Sequence, residues 1–359
     1  MLKADVAIIG AGVVGLFTAY MLTRSGYSTI VIERERRPGL GVTSRSANVI
    51  HVLQPPFNSL KSRLCIEGNI LYHELQDGLG FKVLWTRLIL AYRRAWQKPI
   101  AVLASKILRR VLPERFNVDH LPGARLRDME PQISDNIKGG VVVSGYGVID
   151  TMDLINKLYS RVSRDSEVLL DTTVTGVTRG GTPTLKTSTV DVKTRLIVNA
   201  GGLNSDEIAG ILGDPGYKII PIKGVMTIHD GPRLRNIIAP LELGQKETKG
   251  GGAIPQPSGE TLLGPNNAGP AGKNDYTYTS KDLKTLTSRF QNLLNTGLPE
   301  PRRVIVGLRP TVKERDFIIK RGRHRDTIHL IGIESPGLTA APAIAKRVTE
   351  MIQNSPQHP

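Results

Sequence analysis

Cysteine is nearly absent, since Cys65 is the single one in a chain of 359 residues. One thiol excludes an internal disulfide and any zinc or iron–sulfur site built on several cysteines, and it fits a reducing compartment. Aromatic residues are few, at 5%, and no nucleic-acid-binding motif accompanies them. No run of about 18 apolar residues occurs, so no membrane-spanning helix is expected. The N-terminal stretch is not read as a signal peptide, because Asp5 and the glycines up to Gly26 divide it into strand, turn and helix. Acidic residues are also scarce: 32 Asp and Glu against 48 Lys and Arg leave a net charge of +16. Three readings of that balance compete: an anionic substrate, an anionic membrane face and nucleic acid. The lack of aromatics and motifs argues against the third, and no nucleic-acid partner is expected. Hydrophobic content of 40% and charged content of 22% are ordinary for a soluble globular protein, and the length suits one large domain or two interleaved ones.

What is present begins at once. Val6-Ala7-Ile8-Ile9 is a short apolar run of the kind buried on both faces of a parallel sheet. Gly10, Gly12 and Gly15 follow as G-x-G-x-x-G, and an apolar helix then runs to a stop at Gly26. Thr29 to Ile32 form a second strand, with Glu33 at its end. In this context Gly10 permits the tight turn, Gly12 the approach of a pyrophosphate and Gly15 close helix–strand packing. The helix N-terminus, at which Val14 lies, offers free N–H groups to phosphates. Glu33 stands where a carboxylate accepts from ribose hydroxyls, and Arg34 directly follows it. The stretch therefore predicts a bound dinucleotide. Thr43, Ser44, Ser46 and Ala47 are small or hydroxyl-bearing and suit a second set of donors to the pyrophosphate, the alternative being an ordinary helix cap.

Further along, Ser59 is the expected N-cap and Gly80 the expected stop of a long helix whose leucines share one face, with Cys65 as a packed core thiol. Residues 83–92 read as a strand. Residues 93–115 are basic and amphipathic, and two readings stand: a surface helix interrupted early by Pro99, or a membrane-facing element. Val141 to Val143 read as a strand, Gly145-Tyr146-Gly147 as a turn, and Asp150 as the cap of a helix from Met152 to about Val162. Asn199-Ala200-Gly201-Gly202 ends another strand with small residues beside which a ligand fits. Residues 217–279 alternate short β-like runs with Gly and Pro, which predicts an antiparallel sheet and hence a second domain.

These pieces together resemble the D-amino-acid-oxidase-like superfamily of FAD-dependent oxidoreductases, in the branch of the large subunit of anaerobic glycerol-3-phosphate dehydrogenase and of L-2-hydroxyglutarate dehydrogenase. The resemblance is carried by the opening glycine motif, Val49-Ile50-His51, Ser59 to Cys65, Asn199 to Gly202, Lys223-Gly224, Gly307-Leu308-Arg309-Pro310 and Gly332-Ile333-Glu334-Ser335-Pro336-Gly337-Leu338-Thr339. It implies an α/β fold with an α+β second domain. A discontinuous Rossmann-like FAD-binding domain of the glutathione-reductase-like type is expected over 1–80, 145–215 and 311–359, and an antiparallel-sheet substrate domain over 81–144 and 216–310. It favours FAD over NAD, with Val174, Ala200, Gly201, Gly332, Pro336, Gly337, Leu338 and Thr339 added to the cofactor contacts. Relatives usually show Asn-Ser-Gly before the histidine where this chain has Ser46-Ala47-Asn48; Asn48 is expected to take left-handed angles and keep the turn. After the histidine, Val52-Leu53-Gln54-Pro55-Pro56 stand where relatives usually show a small residue and then tyrosines, and the segment is expected to border the substrate. With Cys65 alone, the chain is expected to lack the cysteine-rich C-terminal extension of the bacterial large subunit.

The chemistry expected is oxidation of a secondary alcohol, with glycerol 3-phosphate as the leading substrate and L-2-hydroxyglutarate or an amine as alternatives. His51 is the candidate base, the alternative being a histidine hydrogen-bonded in the core or lying against the cofactor. Arg309 is the candidate clamp on a small anionic substrate, through phosphate or carboxylate, because a guanidinium offers a bidentate and permanently charged fork. Lys223 is a second candidate for the anion or the flavin. Electrons are expected to leave to quinone, a partner protein or oxygen, from a cytoplasmic enzyme whose membrane contact, if any, is peripheral at the inner face.

Overall fold

The computed structural model describes residues 1–242 and 251–354. The stretches 243–250 and 355–359, which fall in the expected substrate and FAD segments, lie outside the described residues.

Two sheets divide the chain. Among the described residues the first has eight strands, and its main path runs Ile318–Arg321, Thr327–Ile331, Val192–Asn199, Leu2–Ile9, Thr29–Ile32 and Glu167–Leu169. Its central pairs are parallel, with Ile8 opposite both Val198 and Val31. The chain therefore returns from three distant segments to complete one sheet. Val6, Ala7 and Ile8 are fully buried, as a strand flanked on both edges and covered on both faces must be. The opening helix Val13–Arg24, the long helix Leu60–Leu79 and the closing helix Gly337–Gln353 share one core, in which Phe17 and Tyr72 meet edge to face at 5.9 Å. The Ser59 hydroxyl accepts from Ser62 N–H at 3.2 Å and caps the long helix, and Gly80 ends it at φ 75°. Cys65 is buried within it, and burial pushes its thiol pKa well up, as for a core thiol.

Among the described residues the second sheet has ten strands, in the order Gly269–Pro270, Ile220–His229, Thr261–Gly264, Gly252–Pro255, Ile237–Pro240, Val83–Tyr92, Gly139–Ile149 and Val49–Ile50, with Arg303–Thr311 and Val118–Pro122 on side branches. It is antiparallel as expected, except that Ile237–Pro240 runs parallel to Val83–Tyr92.

Two local expectations are corrected. Gly145-Tyr146-Gly147 is not a turn but part of the strand Gly139–Ile149, which crosses the boundary expected after residue 144. Gly145 at φ 83° takes up a register shift opposite Thr86 and Arg87, so the strand bulges and continues. Pro99 does not interrupt a helix. It sits in the first turn of Lys98–Val111, where the missing N–H has no intrahelical partner to lose. That helix packs Leu108 on the second sheet's core and leaves further apolar residues outside. Its buried residues are the small Ala101 and Ser105, while Leu103, Ile107 and Val111 are exposed, as is Trp96 just before it.

Candidate active site

One cavity of about 390 Å³ is lined from both sheets. Loop ends of the first sheet bring Gly10, Gly12, Val14, Glu33, Arg34, Thr43, Val174, Ala200 and Gly201. Strands and loops facing the second sheet bring Ser46, Ala47, His51, Gly224, Met226, Arg309, Pro336, Gly337 and Leu338. Gln54 also reaches the lining, at the segment expected to border the substrate.

In the first group the backbone is tightly interlocked. A Cβ on Gly10, which has φ 109°, would stand 2.5 Å from Ala200 O, so the two glycine-rich turns touch. Gly15 is not in the lining; its missing side chain lets the helix lie against the Gly10 carbonyl. Glu33 is largely shielded. Its carboxylate accepts from Ala11 N–H at 2.7 Å and Glu35 N–H at 3.0 Å. Burial raises its pKa from the ordinary carboxylate value, and those two amide bonds oppose the rise. Ser44 lies outside the lining, with its hydroxyl donating to Leu40 O and Gly41 O, each at 3.3 Å.

The second group is ordered by the C-terminal loop. Asn48 has φ 63°, so the left-handed turn before the histidine is kept; its Oδ1 accepts from the Thr151 hydroxyl at 2.7 Å. The backbone of His51 is held from both sides. Its N–H donates to Thr339 Oγ1 at 3.0 Å, and its carbonyl accepts from Asn69 Nδ2 at 2.9 Å. Its ring meets Tyr146 edge-on at 5.9 Å. Thr339, expected at the cofactor, is thus fully buried behind His51 rather than in the lining. Gly332 is also outside it, packed at φ 73° against Val312.

Arg309 enters from the strand Arg303–Thr311. Ile222 stands opposite Arg309 and Gly224 opposite Gly307 in the register. The Arg309 guanidinium lies over the bare backbone of Gly224, where a Cβ would come within 2.6 Å of Nη2, and it donates to Asn266 O at 2.9 Å. Burial lowers the guanidinium pKa and the Glu334 carboxylate acts against that; the group stays charged at working pH. Lys223 is not brought to the cavity. Strand alternation puts it on the face opposite to Gly224, where it pairs with Asp275 at 2.7 Å and donates to Thr277 O at 3.0 Å.

Sequence reasoning missed three supports of this site. Lys61 and Glu334 form a buried ion pair at 3.3 Å; both lie in quoted motifs, but nothing local joins residues so far apart. Asn69 is a polar residue in the middle of a helix and carried no signal beyond its neighbour Gly68. Arg45 lines the cavity with its guanidinium 4.1 Å from the centre of the Tyr276 ring.

These residues fit FAD. The helix starting at Val13 opens its N-terminus onto the cavity behind Gly12, which has no side chain to intrude, and a largely shielded carboxylate stands at the ribose position. A second helix, Gly337–Gln353, opens at the other end through Pro336, Gly337 and Leu338.

The comparisons agree with that reading. The chain is 29% identical over 365 residues to a glycerol 3-phosphate dehydrogenase of Caloramator mitchellensis, covering 98% of this chain and 74% of the relative. It is 25% identical over 370 residues to a glycerol 3-phosphate oxidase of Mycoplasma pneumoniae, covering 97% and 94%. The solved structure of the dithionite-reduced L-α-glycerophosphate oxidase from Mycoplasma pneumoniae with FAD bound superposes with a TM-score of 0.90 at 22% identity, over 99% of this chain and 96% of that one. A glycine oxidase from Geobacillus kaustophilus superposes at 0.85 with 18% identity, over 99% and 96%. The profile of the DAO family, the FAD-dependent oxidoreductases, matches residues 5–351, and the chain belongs to that family as an oxidoreductase whose cofactor is FAD.

Proposed function

We propose that the protein oxidises sn-glycerol 3-phosphate at its secondary alcohol to dihydroxyacetone phosphate. The observation that carries this reading is the Arg309 guanidinium, laid over Gly224 in the same cavity as His51. It offers a permanently charged fork to an anionic group at one end of a small substrate. His51, held through Thr339 and Asn69, takes the hydroxyl proton. FAD, when bound, supplies the acceptor for the hydride from the carbinol carbon. The names of the relatives matched along nearly all of this chain support a CH–OH donor bearing phosphate.

A second reading, oxidation of L-2-hydroxyglutarate, is favoured by a 35% identical match over 74 residues to a mitochondrial L-2-hydroxyglutarate dehydrogenase of Arabidopsis thaliana. Anaerobic titration of the FAD-loaded protein separates the two. Bleaching of the flavin bands by sn-glycerol 3-phosphate is expected, and bleaching by L-2-hydroxyglutarate alone refutes the first reading. Arg309→Ala should keep its flavin and lose substrate affinity.

Electrons then pass to a quinone or a protein acceptor from a cytoplasmic enzyme held at the inner face of the membrane. The helix Lys98–Val111 supports this, because it turns Leu103, Ile107 and Val111 outward among exposed Lys106, Arg109 and Arg110. Flotation with anionic liposomes at low salt should carry the protein upward. Recovery in the soluble fraction at low salt rejects the lipid contact.

A further inference from the structure

Arg45 is a guanidinium in the cavity that neither the opening motif nor the Arg309 clamp accounts for. It belongs to the short helical turn Thr43–Arg45. Its backbone carbonyl presses on the strand that carries Arg309: a Cβ on Gly307 would stand 2.6 Å from it. Gly307 and Arg309 are two apart on one strand and face the same way. Arg45 therefore sits on the same face of the sheet as the clamp. Among the described residues no carboxylate pairs with it; its recorded side-chain contact is the Tyr276 ring at 4.1 Å.

The segment leading into Tyr276 is pinned by two sets of ion pairs. Lys273 pairs with Asp206 at 2.6 Å and Glu207 at 2.7 Å, and Asp275 pairs with Lys223 at 2.7 Å. The Lys223 hydrogen bond, together with those from Thr277, pulls the Asp275 pKa down to about 2, so the pin stays ionised at working pH. Lys223 thus acts through Asp275 on the strap carrying Tyr276, and not on the anion.

The charges around Arg309 bear on which anion that part of the cavity holds. Arg309 is opposed by Glu334, Glu334 is paired by Lys61, and Arg45 is unopposed. Lys61, Arg309 and Arg45 against the Glu334 carboxylate leave two positive charges among these four groups, the complement of a single dianionic group, while the other lining charges, Glu33, Arg34, Glu35 and Glu207, lie on segments of the first sheet. Without Arg45 one charge remains, which suits a carboxylate.

We propose that Arg45, stacked on Tyr276, is a second anion-binding group of the substrate cavity, and that together with Arg309 it selects a phosphate dianion over a carboxylate. This rests on the functional reading above and names what sets its specificity. The guanidinium reaches the phosphate without leaving the ring, because a cation over an aromatic face keeps its N–H edge free for acceptors.

The test is calorimetric titration of inorganic phosphate, and separately of acetate, into the FAD-loaded protein. Arg45→Gln should weaken phosphate about 10- to 100-fold, the loss of one charge-assisted hydrogen-bonded pair, and move acetate by less than about 3-fold on the same basis. Tyr276→Leu should shift phosphate in the same direction, and Tyr276→Phe, which keeps a ring under the guanidinium, should restore it. With substrate, Arg45→Gln should raise KM for sn-glycerol 3-phosphate far more than it lowers kcat. Unchanged phosphate affinity in Arg45→Gln overturns the proposal. So does weakened FAD binding with phosphate affinity intact, which would assign Arg45 to the cofactor. Should Arg45→Gln not fold, the contrast between Tyr276→Leu and Tyr276→Phe decides, and equal affinities there overturn the proposal. Wild-type protein that binds phosphate through Arg45 but is not bleached by sn-glycerol 3-phosphate would refute the function and leave the anion site standing.

Discussion

Replacing Lys61 by Met is the most searching perturbation of this structure away from the cofactor. Lys61 is 2% exposed and Glu334 4%. The Lys61 ammonium donates to Glu334 Oε1 at 3.3 Å and to the Arg315 carbonyl at 2.5 Å, while Glu334 Oε2 accepts from the Thr311 hydroxyl at 2.8 Å. Met fills the volume of the lysine stem, so little is lost to a cavity. What is lost is the counter-charge: a buried carboxylate loses its ammonium, and the Arg315 carbonyl loses a donor. Breaking one side of a buried ion pair costs about 3–5 kcal/mol. Removing both charges, as in Lys61→Met/Glu334→Leu, should recover most of that, because desolvation then no longer applies to either group. The assay is guanidinium unfolding of the apoprotein followed by far-ultraviolet circular dichroism, run as a double-mutant cycle. An unfolding free energy for Lys61→Met within about 0.5 kcal/mol of wild type, or strictly additive single losses, would show that the pair is not coupled. In the FAD-loaded protein the same variant lets the Glu334 carboxylate oppose Arg309 more strongly, and the KM for an anionic substrate should rise several-fold while kcat changes less.

Three further outcomes are expected. Glu33→Gln should weaken FAD about tenfold, the scale of one charge-assisted hydrogen bond. The wild-type affinity should fall as pH drops through the raised Glu33 pKa, since ribose hydroxyls donate to the ionised form, and the Gln variant should be flat there by fluorescence titration. The apoprotein shows the opposite trend from this group, whose folded pKa is raised: its contribution is present below the ordinary carboxylate pKa and lost as pH rises through the folded one. Asn69→Leu removes a donor to both the His51 and Gly145 carbonyls; kcat should fall by about tenfold or more, in line with a catalytic group displaced by a fraction of an ångström, with KM little changed, and an unaltered kcat refutes the positioning role. His329 is buried between Asn199 and Asp214, and burial lowers its pKa below the ordinary value despite Asp214. It binds fewer protons folded than unfolded, so stability should be full above the ordinary imidazole pKa and fall as pH drops below it, a limb that His329→Gln should flatten.

Legibility followed the range of the physics. The opening stretch was readable because glycine spacing, strand and helix are all local, and the strand Thr29–Ile32 stands where the apolar run put it. The caps at Ser59 and Gly80 were readable for the same reason. Gly145-Tyr146-Gly147 misled because a turn and a β-bulge ask for the same left-handed residue, and only the partner strand tells them apart. Pro99 misled because a breaker and a first-turn proline look alike until the helix start is known. Lys223 was drawn towards the anion by its neighbour Gly224, yet alternation along a strand sends adjacent residues to opposite faces. Arg45 on Tyr276 and Lys61 on Glu334 were invisible, since neither residue of either pair constrains the other until the chain has folded.

The net charge of +16 pointed to an anionic ligand but says little about the cavity. What sets the cavity is one segment, Glu334 to Thr339. Glu334 opposes Arg309 and is itself held by Lys61, while Thr339 accepts from the backbone of His51. Between them, Pro336, Gly337 and Leu338 open a helix N-terminus onto the cavity, and Tyr72 fixes that turn by donating to Leu338 O at 2.9 Å. Six consecutive residues therefore orient the anion clamp, the proton acceptor and the positive helix end at once. A shift of this segment by a fraction of an ångström displaces all three together, and variants within it should lose substrate affinity, turnover and flavin affinity as a set. Substitutions at Arg45, on a separate turn, should move substrate affinity alone.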